Sequence, residues 1–235
     1  MKYFTFFLLL ISFASLADAK TKYGNKAQPL HTTHSYFKSS APDFWAIAPY
    51  YTAQQDGRSC SVATLTMLLN ALRTQVELDS DTPLVTQQNL LKKLNDKNWN
   101  QNLAPLGHGV TLDEMGKLIQ KSIHAYRLQN LQTSVIHISD DSQKKQLHKI
   151  LIENEKSDRN FLIINFLQGR FTSDADVGHF AIIGAYDLKN RKVLIMDPDR
   201  EWYEPYWVSE ETLFDGLKTQ DPVSKVSRGY IWVIP

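Results

Sequence analysis

The stretch QQDGRSCSVATLTMLLNAL, residues 54–72, changes from polar residues to a long apolar pattern at Cys60, the only cysteine of the chain. From residue 60 to residue 73 the apolar positions recur at helical spacing, and Ser59 is placed to cap that helix. Cys60 then lies in the first turn, where free N–H groups and the positive end of the helix dipole favour an anionic sulfur. This position favours a reactive thiol, and a buried cysteine that only fills space is the alternative.

The N-terminus predicts export. Residues 1–19 combine Lys2, an apolar run of signal-peptide length and the small-residue site Ala17-Asp18-Ala19. The run is shorter than the roughly 20 residues that span a bilayer. We therefore predict a cleaved signal peptide, a periplasmic or secreted protein, and no stable membrane insertion. An unpaired thiol is uncommon in an oxidising compartment, which adds to the case for chemistry at Cys60.

The composition excludes one class of partner and indicates one domain. The formal net charge of the 235 residues is +1, so the chain has no long-range attraction for phosphates, and we expect no nucleic-acid partner. No internal repeat and no linker rich in Gly, Ser or Pro divides the sequence. We therefore predict a single domain over residues 20–235, and the sequence leaves open whether it forms a homodimer.

Helix signals come first along the chain and strand signals second. Helical patterns cover 83–96, 111–121 and 140–156, and Thr111 with Glu114 forms a capping box for the second of these. The stretch 98–109, rich in Asn, Gly and Pro, predicts a loop. Neighbouring antiparallel strands are predicted at 161–167, 179–187 and 192–197, followed by a strand pattern at 202–208, a short helix at 210–219 and a strand at 229–235. This order indicates an α+β fold.

Four of the histidines outside the predicted strands give no indication of a metal site. His31 and His34 form an H-x-x-H pair without further ligands nearby, His108 lies in the predicted loop, and His148 lies on a charged helix face. None of them belongs to a cluster with the ligand spacing of a zinc site. We expect them to be solvated or loop residues, and we expect no tightly bound metal or other cofactor.

The strand cluster supplies the two partners that a cysteine nucleophile needs, a base and a group that orients the base. His179 begins one predicted strand and Asp197 ends the next, so an antiparallel hairpin would bring them to the same edge of the sheet. Gln54, shortly before Cys60, is placed to donate an amide N–H to an oxyanion. Each residue alone has an ordinary structural explanation, but the combination in this order is typical of papain-like enzymes.

Several segments together resemble the catalytic domain of phytochelatin synthases, in the short form found in bacteria, over about residues 35–233. They are QQDGRSCSVATLTMLLNAL, GVTLDEMGKLI, NFLIINFL, GHFAIIGAYD, VLIMDPDREWYEPYWV and QDPVSKVSRGYIWV. The resemblance implies a papain-like fold, with a helical N-terminal lobe packed on an antiparallel β-sheet lobe.

The resemblance also implies acyl transfer from glutathione. Cys60 would attack the Cys–Gly bond, release glycine and hold γ-glutamylcysteine as a thioester, with His179 as general base, Asp197 orienting it and Gln54 in the oxyanion site. The acyl group would pass to a second glutathione, to a phytochelatin or to water. Expected partners are glutathione and γ-Glu-Cys peptides, and Cd²⁺ or Zn²⁺ would enter only as a metal–glutathione thiolate. Such a reaction would serve heavy-metal detoxification or glutathione turnover.

The matching motifs predict the substrate-binding residues as well. Arg200 matches an arginine near the catalytic centre, and Ser61 and Gly178 adjoin the nucleophile and the base. Asp221 and Arg228 match a pair that binds the γ-glutamyl end, whose ammonium and carboxylate require one acid and one base. The alternative for that pair is a structural salt bridge.

The sequence departs from the family pattern at three points. Ser61 stands where the family commonly has a glycine, and its side chain is expected to narrow the pocket. Val177 replaces a glycine before Gly178. The cysteine-rich C-terminal domain of plant members has no counterpart in the sequence, so we expect no protein-borne array of thiolates that senses heavy metal.

Two other functions fit parts of the sequence. A cysteine peptidase of the bacteriocin-processing type would also have a glutamine before its cysteine, but it would not need Asp221 and Arg228. A catalytically silent module that binds thiol peptides or metals would need neither His179 nor glycine release. Water and glutathione are both open as the acceptor.

Overall fold

The structure is a computed structural model that describes residues 26–29, 41–74, 81–172 and 176–235. Within these ranges the helices are α1 (Pro42–Ile47), α2 (Cys60–Arg73), α3 (Gln87–Leu94), α4 (Lys97–Leu103), α5 (Leu112–Ala125), α6 (Lys144–Asn154), α7 (Gln168–Phe171) and α8 (Glu210–Leu217). The strands are β1 (Gln28–Pro29), β2 (Gln132–His137), β3 (Phe161–Leu167), β4 (Gly178–Asp187), β5 (Lys192–Met196), β6 (Tyr206–Ser209) and β7 (Gly229–Ile234).

The described strands form one antiparallel sheet in the order β1-β6-β5-β4-β3-β7-β2. The strands predicted at 161–167, 179–187 and 192–197 are β3, β4 and β5, and they pair as antiparallel neighbours as expected. Their near-continuous apolar sequences follow from burial on both faces. The predicted α+β fold is confirmed.

Different parts of the chain cover the two faces of the sheet. Helices α2 and α5 pack on the face that carries Ile163 and Ile182. Helices α6 and α8 pack on the opposite face, which carries Ile164 and Ile183, because successive side chains of a strand point to opposite sides. The helices α1–α5 all precede β2, so a helical N-terminal part packs against a sheet built mostly from the C-terminal part.

Helix α2 positions the cysteine. It spans Cys60–Arg73, as the apolar spacing predicts, and every residue after Cys60 is buried. Thr64 Oγ1 donates a hydrogen bond to the Phe180 carbonyl of β4 at 3.2 Å. Because Phe180 follows His179 directly, this bond holds the N-terminal part of α2 beside the start of β4.

The prediction that Ser59 caps α2 is wrong in its detail. Ser59 occupies the N-cap position, but its hydroxyl makes no capping bond to the helix. The hydroxyl instead accepts hydrogen bonds from the N–H groups of Gln55 and Asp56, both at 2.9 Å, and donates to the Asp56 carbonyl at 3.0 Å. Ser59 therefore closes the loop that precedes the helix and leaves the helix start open.

The predicted loop over 98–109 is wrong in its first half, where α4 lies. Asp96 caps this helix by accepting from the Trp99 N–H at 3.0 Å, and the Trp99 side chain is buried against the core. Burial of one large aromatic side chain outweighs the weak helix propensity of an Asn-rich sequence. From Ala104 onward the chain is irregular, as predicted.

The remaining predicted elements are present with shifted bounds. The capping box of Thr111 and Glu114 starts α5 as predicted. The helix predicted at 83–96 is the shorter α3, because Thr86 caps it by accepting from the Asn89 N–H. Helix α1 and strand β2 have no counterpart in the prediction, since α1 is short and β2 shows no clear alternation of buried and exposed residues.

His148 differs from its prediction as a solvated residue. Its Nδ1 lies 3.0 Å from Glu210 Oε2 and 3.1 Å from the Tyr186 hydroxyl, because α6 packs beside α8 on the sheet. His31, His34 and the predicted signal peptide lie outside the described residues. None of the helices in the described ranges has the length and apolar character required to cross a bilayer.

Candidate active site

The β4–β5 hairpin brings a histidine and a carboxylate together. His179 is the second residue of β4, and Asp197 follows the last residue of β5. The antiparallel register pairs Ile182 with Met196. His179 and Asp197 therefore stand at the same edge of the sheet. His179 Nε2 lies 2.7 Å from Asp197 Oδ1, and both side chains are buried. The structure therefore places these two residues as the hairpin argument predicts.

Four contacts hold Asp197 in place. Oδ1 accepts a second hydrogen bond from the Asp199 N–H at 2.9 Å, and Oδ2 accepts one from the Tyr206 hydroxyl at 2.8 Å. The Tyr51 hydroxyl donates to the Asp197 backbone carbonyl. Burial alone would raise the pKa of Asp197, but the charge and hydrogen bond of His179, with the other donors, hold that pKa below its ordinary value. Asp197 is therefore an ionised acceptor.

His179 favours its charged form. Burial opposes a charge on the imidazole, but the Asp197 charge and hydrogen bond, with a smaller contribution from Cys60, raise the pKa of His179 well above its ordinary value. The Asn165 side-chain amide donates to the His179 carbonyl at 3.2 Å, and the Phe166 ring packs edge-to-face at 5.5 Å. Because Nε2 faces Asp197, the other ring nitrogen is available for the thiol.

The Cys60 thiol is free, partly exposed and close to this imidazole. It is the first residue of α2, and it is near enough to the His179 imidazole to contribute to the raised pKa of that group. The N–H groups of Val62 and Ala63 both donate to the Ser59 carbonyl, at 3.0 and 3.1 Å. In the part of the chain that is described, the Cys60 N–H has no acceptor. The helix start thus offers an unused donor next to the sulfur.

Gln54 is fastened to the end of β5. Its backbone N–H donates to the Pro198 carbonyl at 2.8 Å, next to Asp197. Its side-chain oxygen is buried without a hydrogen-bond partner among the described residues. The predicted oxyanion residue therefore lies at the same sheet edge as the histidine and the carboxylate.

A cavity of about 300 Å³ opens beside the thiol. Several predicted site residues line it: Cys60, Gly178, Asp221 and Arg228. The other walls are formed by Arg58, Asn165, Val177, Phe180 and the loop at 107–110. His108 belongs to that loop and is exposed, as its prediction as a loop residue requires. The volume can hold a segment of a small peptide.

Asp221 and Arg228 are buried charges on this wall, and they do not form a direct ion pair. Asp221 Oδ1 accepts from the backbone N–H groups of Val223 and Ser224, at 2.7 and 3.3 Å. Arg228 Nη1 donates to the Gln220 carbonyl at 2.7 Å, and its buried Nε has no partner in the described ranges. Burial lowers the pKa of Arg228, and the Asp221 charge opposes that shift. The alternative of a structural salt bridge between the two is wrong.

Gly178 allows the guanidinium to approach the backbone. A β-carbon added at Gly178 would lie 2.6 Å from Arg228 Nη2, well inside normal contact distance. A larger residue there would displace the guanidinium from the cavity wall. The adjoining Val177 is 52% exposed and lines the same cavity. The side chain that replaces the family glycine therefore lies at the cavity mouth.

Two predicted substrate-binding residues lie away from the cavity. The Ser61 side chain is buried and its hydroxyl accepts a hydrogen bond from Trp99 Nε1 at 3.1 Å, so the expectation that it narrows the pocket is wrong. The reason is that α4, absent from the sequence prediction, delivers a buried indole to that side of α2. Arg200 is exposed, with its guanidinium 4.3 Å from the centre of the Tyr51 ring.

Sequence reasoning missed three residues that surround the site: Tyr51, Asn165 and Tyr206. Asn165 and Tyr206 lie within two of the segments that carry the family resemblance, NFLIINFL and VLIMDPDREWYEPYWV. A polar residue within an apolar strand was the available signal for Asn165, since such a residue requires a partner. Tyr206 had no comparable signal, because a tyrosine is ordinary in a strand.

Metal binding has no visible basis in the described ranges. Within them, no group of three or more His, Cys, Asp or Glu side chains is arranged to hold an ion. The expectation that divalent metal enters only with the substrate stays a prediction.

Comparisons with known proteins identify the family. A family model described as phytochelatin synthase matches residues 14–230. A Lotus japonicus protein named glutathione gamma-glutamylcysteinyltransferase 3 is 26% identical over 195 residues, which cover 80% of this chain and 36% of that protein. A Schizosaccharomyces pombe glutathione gamma-glutamylcysteinyltransferase is 25% identical over 198 residues, covering 82% of this chain and 44% of the relative. The chain thus spans less than half the length of these relatives. As the sequence resemblance indicates, it belongs to the phytochelatin synthase family.

Proposed function

We propose that the protein is a glutathione γ-glutamylcysteinyltransferase of papain-like fold that transfers γ-Glu-Cys through Cys60, to glutathione or to water. One observation carries the proposal: a free thiol at a helix start lies beside His179, which is paired with buried Asp197, at the mouth of a charged cavity. The names of the relatives supply glutathione as the substrate.

The first half of the reaction would move an acyl group onto sulfur. The Cys60 thiolate attacks the carbonyl carbon of the Cys–Gly bond, and the His179 imidazolium gives its proton to the departing nitrogen. The C–N bond breaks, glycine leaves as an amine, and γ-Glu-Cys remains as a thioester. The raised pKa of His179 supports this role, because the imidazole begins the cycle protonated.

The second half would move the acyl group onto an acceptor. Neutral His179 accepts a proton from the α-amine of a second glutathione, or from water, as that group attacks the thioester carbonyl. The carbon–sulfur bond breaks and the Cys60 thiolate is restored. The amine acceptor yields (γ-Glu-Cys)₂-Gly, and water yields γ-Glu-Cys. Asp197 stabilises the imidazolium and holds its orientation through both steps.

The Cys60 N–H and the Gln54 side-chain amide would stabilise the oxyanion of each tetrahedral intermediate. The Cys60 N–H belongs to a helix start whose own serine does not cap it. The backbone hydrogen bond of Gln54 to Pro198 fixes the segment that carries the amide. Donors held in place before the reaction lower the barrier because they need no reorganisation.

Arg228 and Asp221 would bind the γ-glutamyl end of the substrate. The guanidinium is suited to the α-carboxylate and the carboxylate to the ammonium. Both side chains are buried on the cavity wall and do not pair with each other. A zwitterionic group would give each of them a partner of opposite charge. Charges in a desolvated site interact more strongly than charges at the surface.

Metal and location complete the proposal. Cd²⁺ or Zn²⁺ would act as part of a metal–glutathione thiolate acceptor, in heavy-metal detoxification or glutathione turnover.

The predicted signal peptide at 1–19 supports export. N-terminal sequencing of the protein recovered outside the cytoplasm tests this, and we expect a start at Lys20.

Mass spectrometry of the products tests the reaction. The purified protein is incubated with glutathione, with and without Cd²⁺ or Zn²⁺, beside a Cys60→Ala variant that should release no glycine. Oligomers of γ-Glu-Cys indicate transfer to glutathione, and γ-Glu-Cys alone indicates hydrolysis. Wild-type protein that releases no glycine under any of these conditions contradicts the proposal.

Two variants separate this proposal from the alternatives. Charge reversal in Arg228→Glu should abolish glycine release from glutathione, whereas a general cysteine peptidase would keep cleaving peptides that have no γ-glutamyl group. A silent binding module would bind glutathione in calorimetry without releasing glycine, and His179→Ala would leave that binding unchanged.

A further inference from the structure

We propose that Tyr206 is a positioning residue for the catalytic base, because its hydroxyl holds the Asp197 carboxylate in the orientation that serves His179. The inference deepens the proposed function and rests on it for the role of His179. Tyr206 does not line the cavity beside Cys60, so it would act on the base through Asp197 and not by contact with the substrate.

The contact between the two residues is built into the sheet. Tyr206 begins β6 and pairs with Ile195 of β5, two residues before Asp197. Its hydroxyl donates to Asp197 Oδ2 at 2.8 Å, and both residues are 0% exposed. In the described part of the chain, Oδ2 has no other partner. Water cannot replace a donor in so enclosed a position without a rearrangement.

Tyr206 acts as the donor in this bond. The Gln168 side-chain amide donates to the Tyr206 oxygen at 3.4 Å, which leaves the phenolic proton for Asp197. Burial and the Asp197 charge raise the pKa of Tyr206 well above its ordinary value. The hydroxyl therefore keeps its proton across the working pH range and always presents a donor to the carboxylate.

Both oxygens of Asp197 are thus held by different parts of the chain. Oδ1 accepts from His179 of β4 and from the Asp199 N–H, and Oδ2 accepts from Tyr206 of β6. Rotation of the carboxylate would break at least one of these bonds. Without the hydroxyl, the carboxylate gains freedom to rotate, and its negative charge concentrates on the side of the imidazolium.

Two changes are expected in Tyr206→Phe. The kcat for glycine release should fall about tenfold or more with KM within about twofold, because a hydrogen bond to a charged group is lost and the base is less well oriented. The pKa of His179, followed by NMR titration, should rise above the wild-type value, because the carboxylate charge is less shared. A purely structural role would not move this pKa.

Tyr230→Phe is the matched control. Tyr230 is also a buried tyrosine of the sheet, and its hydroxyl has no partner in the described ranges. Removing that hydroxyl deletes the same atom on the same face of the sheet without touching Asp197. Its kcat and the pKa of His179 should match those of the wild type.

A double variant tests whether the effect passes through Asp197. Adding Tyr206→Phe to Asp197→Ala should change neither kcat nor the pKa of His179 any further. The single variant at position 197 and the double variant both lack the buried carboxylate, so neither leaves that charge without the Tyr206 donor. They can therefore be compared even if Tyr206→Phe alone does not fold. An unchanged His179 pKa in folded Tyr206→Phe, or a further effect in the double variant, overturns the proposal. The NMR titration needs no substrate, so it stands apart from any failure of glycine release.

Discussion

The backbone N–H of Gln54 donates to the carbonyl of Pro198 at 2.8 Å, which joins the segment before the nucleophile to the residue after Asp197. Tyr51 reinforces this junction, because its hydroxyl donates to the Asp197 carbonyl. Two segments far apart in sequence are therefore joined by two hydrogen bonds. The bond between Gln54 and Pro198 is made by backbone atoms only, so a substitution of the Gln54 side chain leaves it intact.

This arrangement makes Gln54→Ala an informative variant. The substitution removes the side-chain amide and keeps the backbone bond to Pro198, so the thermal midpoint should stay near the wild-type value. Glycine release should fall by about 10²–10³-fold, the usual loss for one oxyanion donor. Gln55→Ala, which truncates the neighbouring exposed side chain, serves as the control and should keep full activity. Full activity in Gln54→Ala would remove Gln54 from the oxyanion site.

Ser61 is expected to affect stability and not substrate binding. Ser61→Ala leaves the buried indole N–H of Trp99 without its acceptor, which should lower the free energy of unfolding by about 1–3 kcal/mol. Urea denaturation measures this loss, and KM for glutathione should stay unchanged. A changed KM with unchanged stability would show that the Ser61 side chain reaches the substrate.

The double variant Ser61→Ala/Trp99→Phe refines this test. It removes donor and acceptor together, so its loss should be smaller than the sum of the two single losses. Additive losses would mean that the hydrogen bond does not contribute and that the Trp99 effect is packing alone.

The site geometry was predictable where it depends on strand pairing. The order of apolar runs placed His179 and Asp197 at one edge of a hairpin, and the short distance between their side chains follows from the register. The position of Cys60 was predictable for a similar reason, since helical spacing alone locates the helix start. Local sequence patterns were therefore sufficient to predict where Cys60, His179 and Asp197 lie.

The surroundings of the site depend on tertiary contacts that local patterns do not contain. The direction of the Ser61 side chain follows from α4, whose Asn-rich sequence predicts a loop and whose helix depends on burial of Trp99. The contact of Tyr206 with Asp197 depends on which strand pairs beside β5, and apolar alternation does not specify that neighbour. Side-chain partners across elements were thus the part that sequence could not supply.

Gly178 should control the position of Arg228. In Gly178→Ala the added β-carbon would lie 2.6 Å from Nη2, so the guanidinium must move. We expect KM for glutathione to rise about tenfold or more, because a desolvated charge contact of roughly 1.5–3 kcal/mol is lost. Since Cys60 is not displaced, its alkylation rate with iodoacetamide should stay at the wild-type value. A KM unchanged within twofold would show that Arg228 is not a substrate contact.

The free energy of unfolding should fall as pH rises, and the buried Asp43 carboxyl, far from the active site, contributes to this fall. Asp43 of α1 is 0% exposed, accepts a hydrogen bond from the Asn154 side chain and has one oxygen without a partner in the described ranges. Burial and the nearby Glu155 charge raise the pKa of Asp43 well above its ordinary value. Burial also raises the pKa of Glu155 to about 7. The folded state therefore binds more protons than the unfolded state, so the free energy of unfolding declines as pH rises above about 4.

Asp43→Asn should weaken this dependence. The amide keeps an acceptor for the Asn154 side chain, carries no charge to desolvate, and offers an N–H to the unpaired Asn154 oxygen. At pH 8 we expect a gain of about 1–3 kcal/mol in the free energy of unfolding, with little change near pH 4, where Asp43 is protonated in the folded protein. Urea denaturation at both pH values measures the difference. Equal losses of stability between pH 4 and pH 8 in the variant and the wild type would show that Asp43 does not hold its proton in the folded protein.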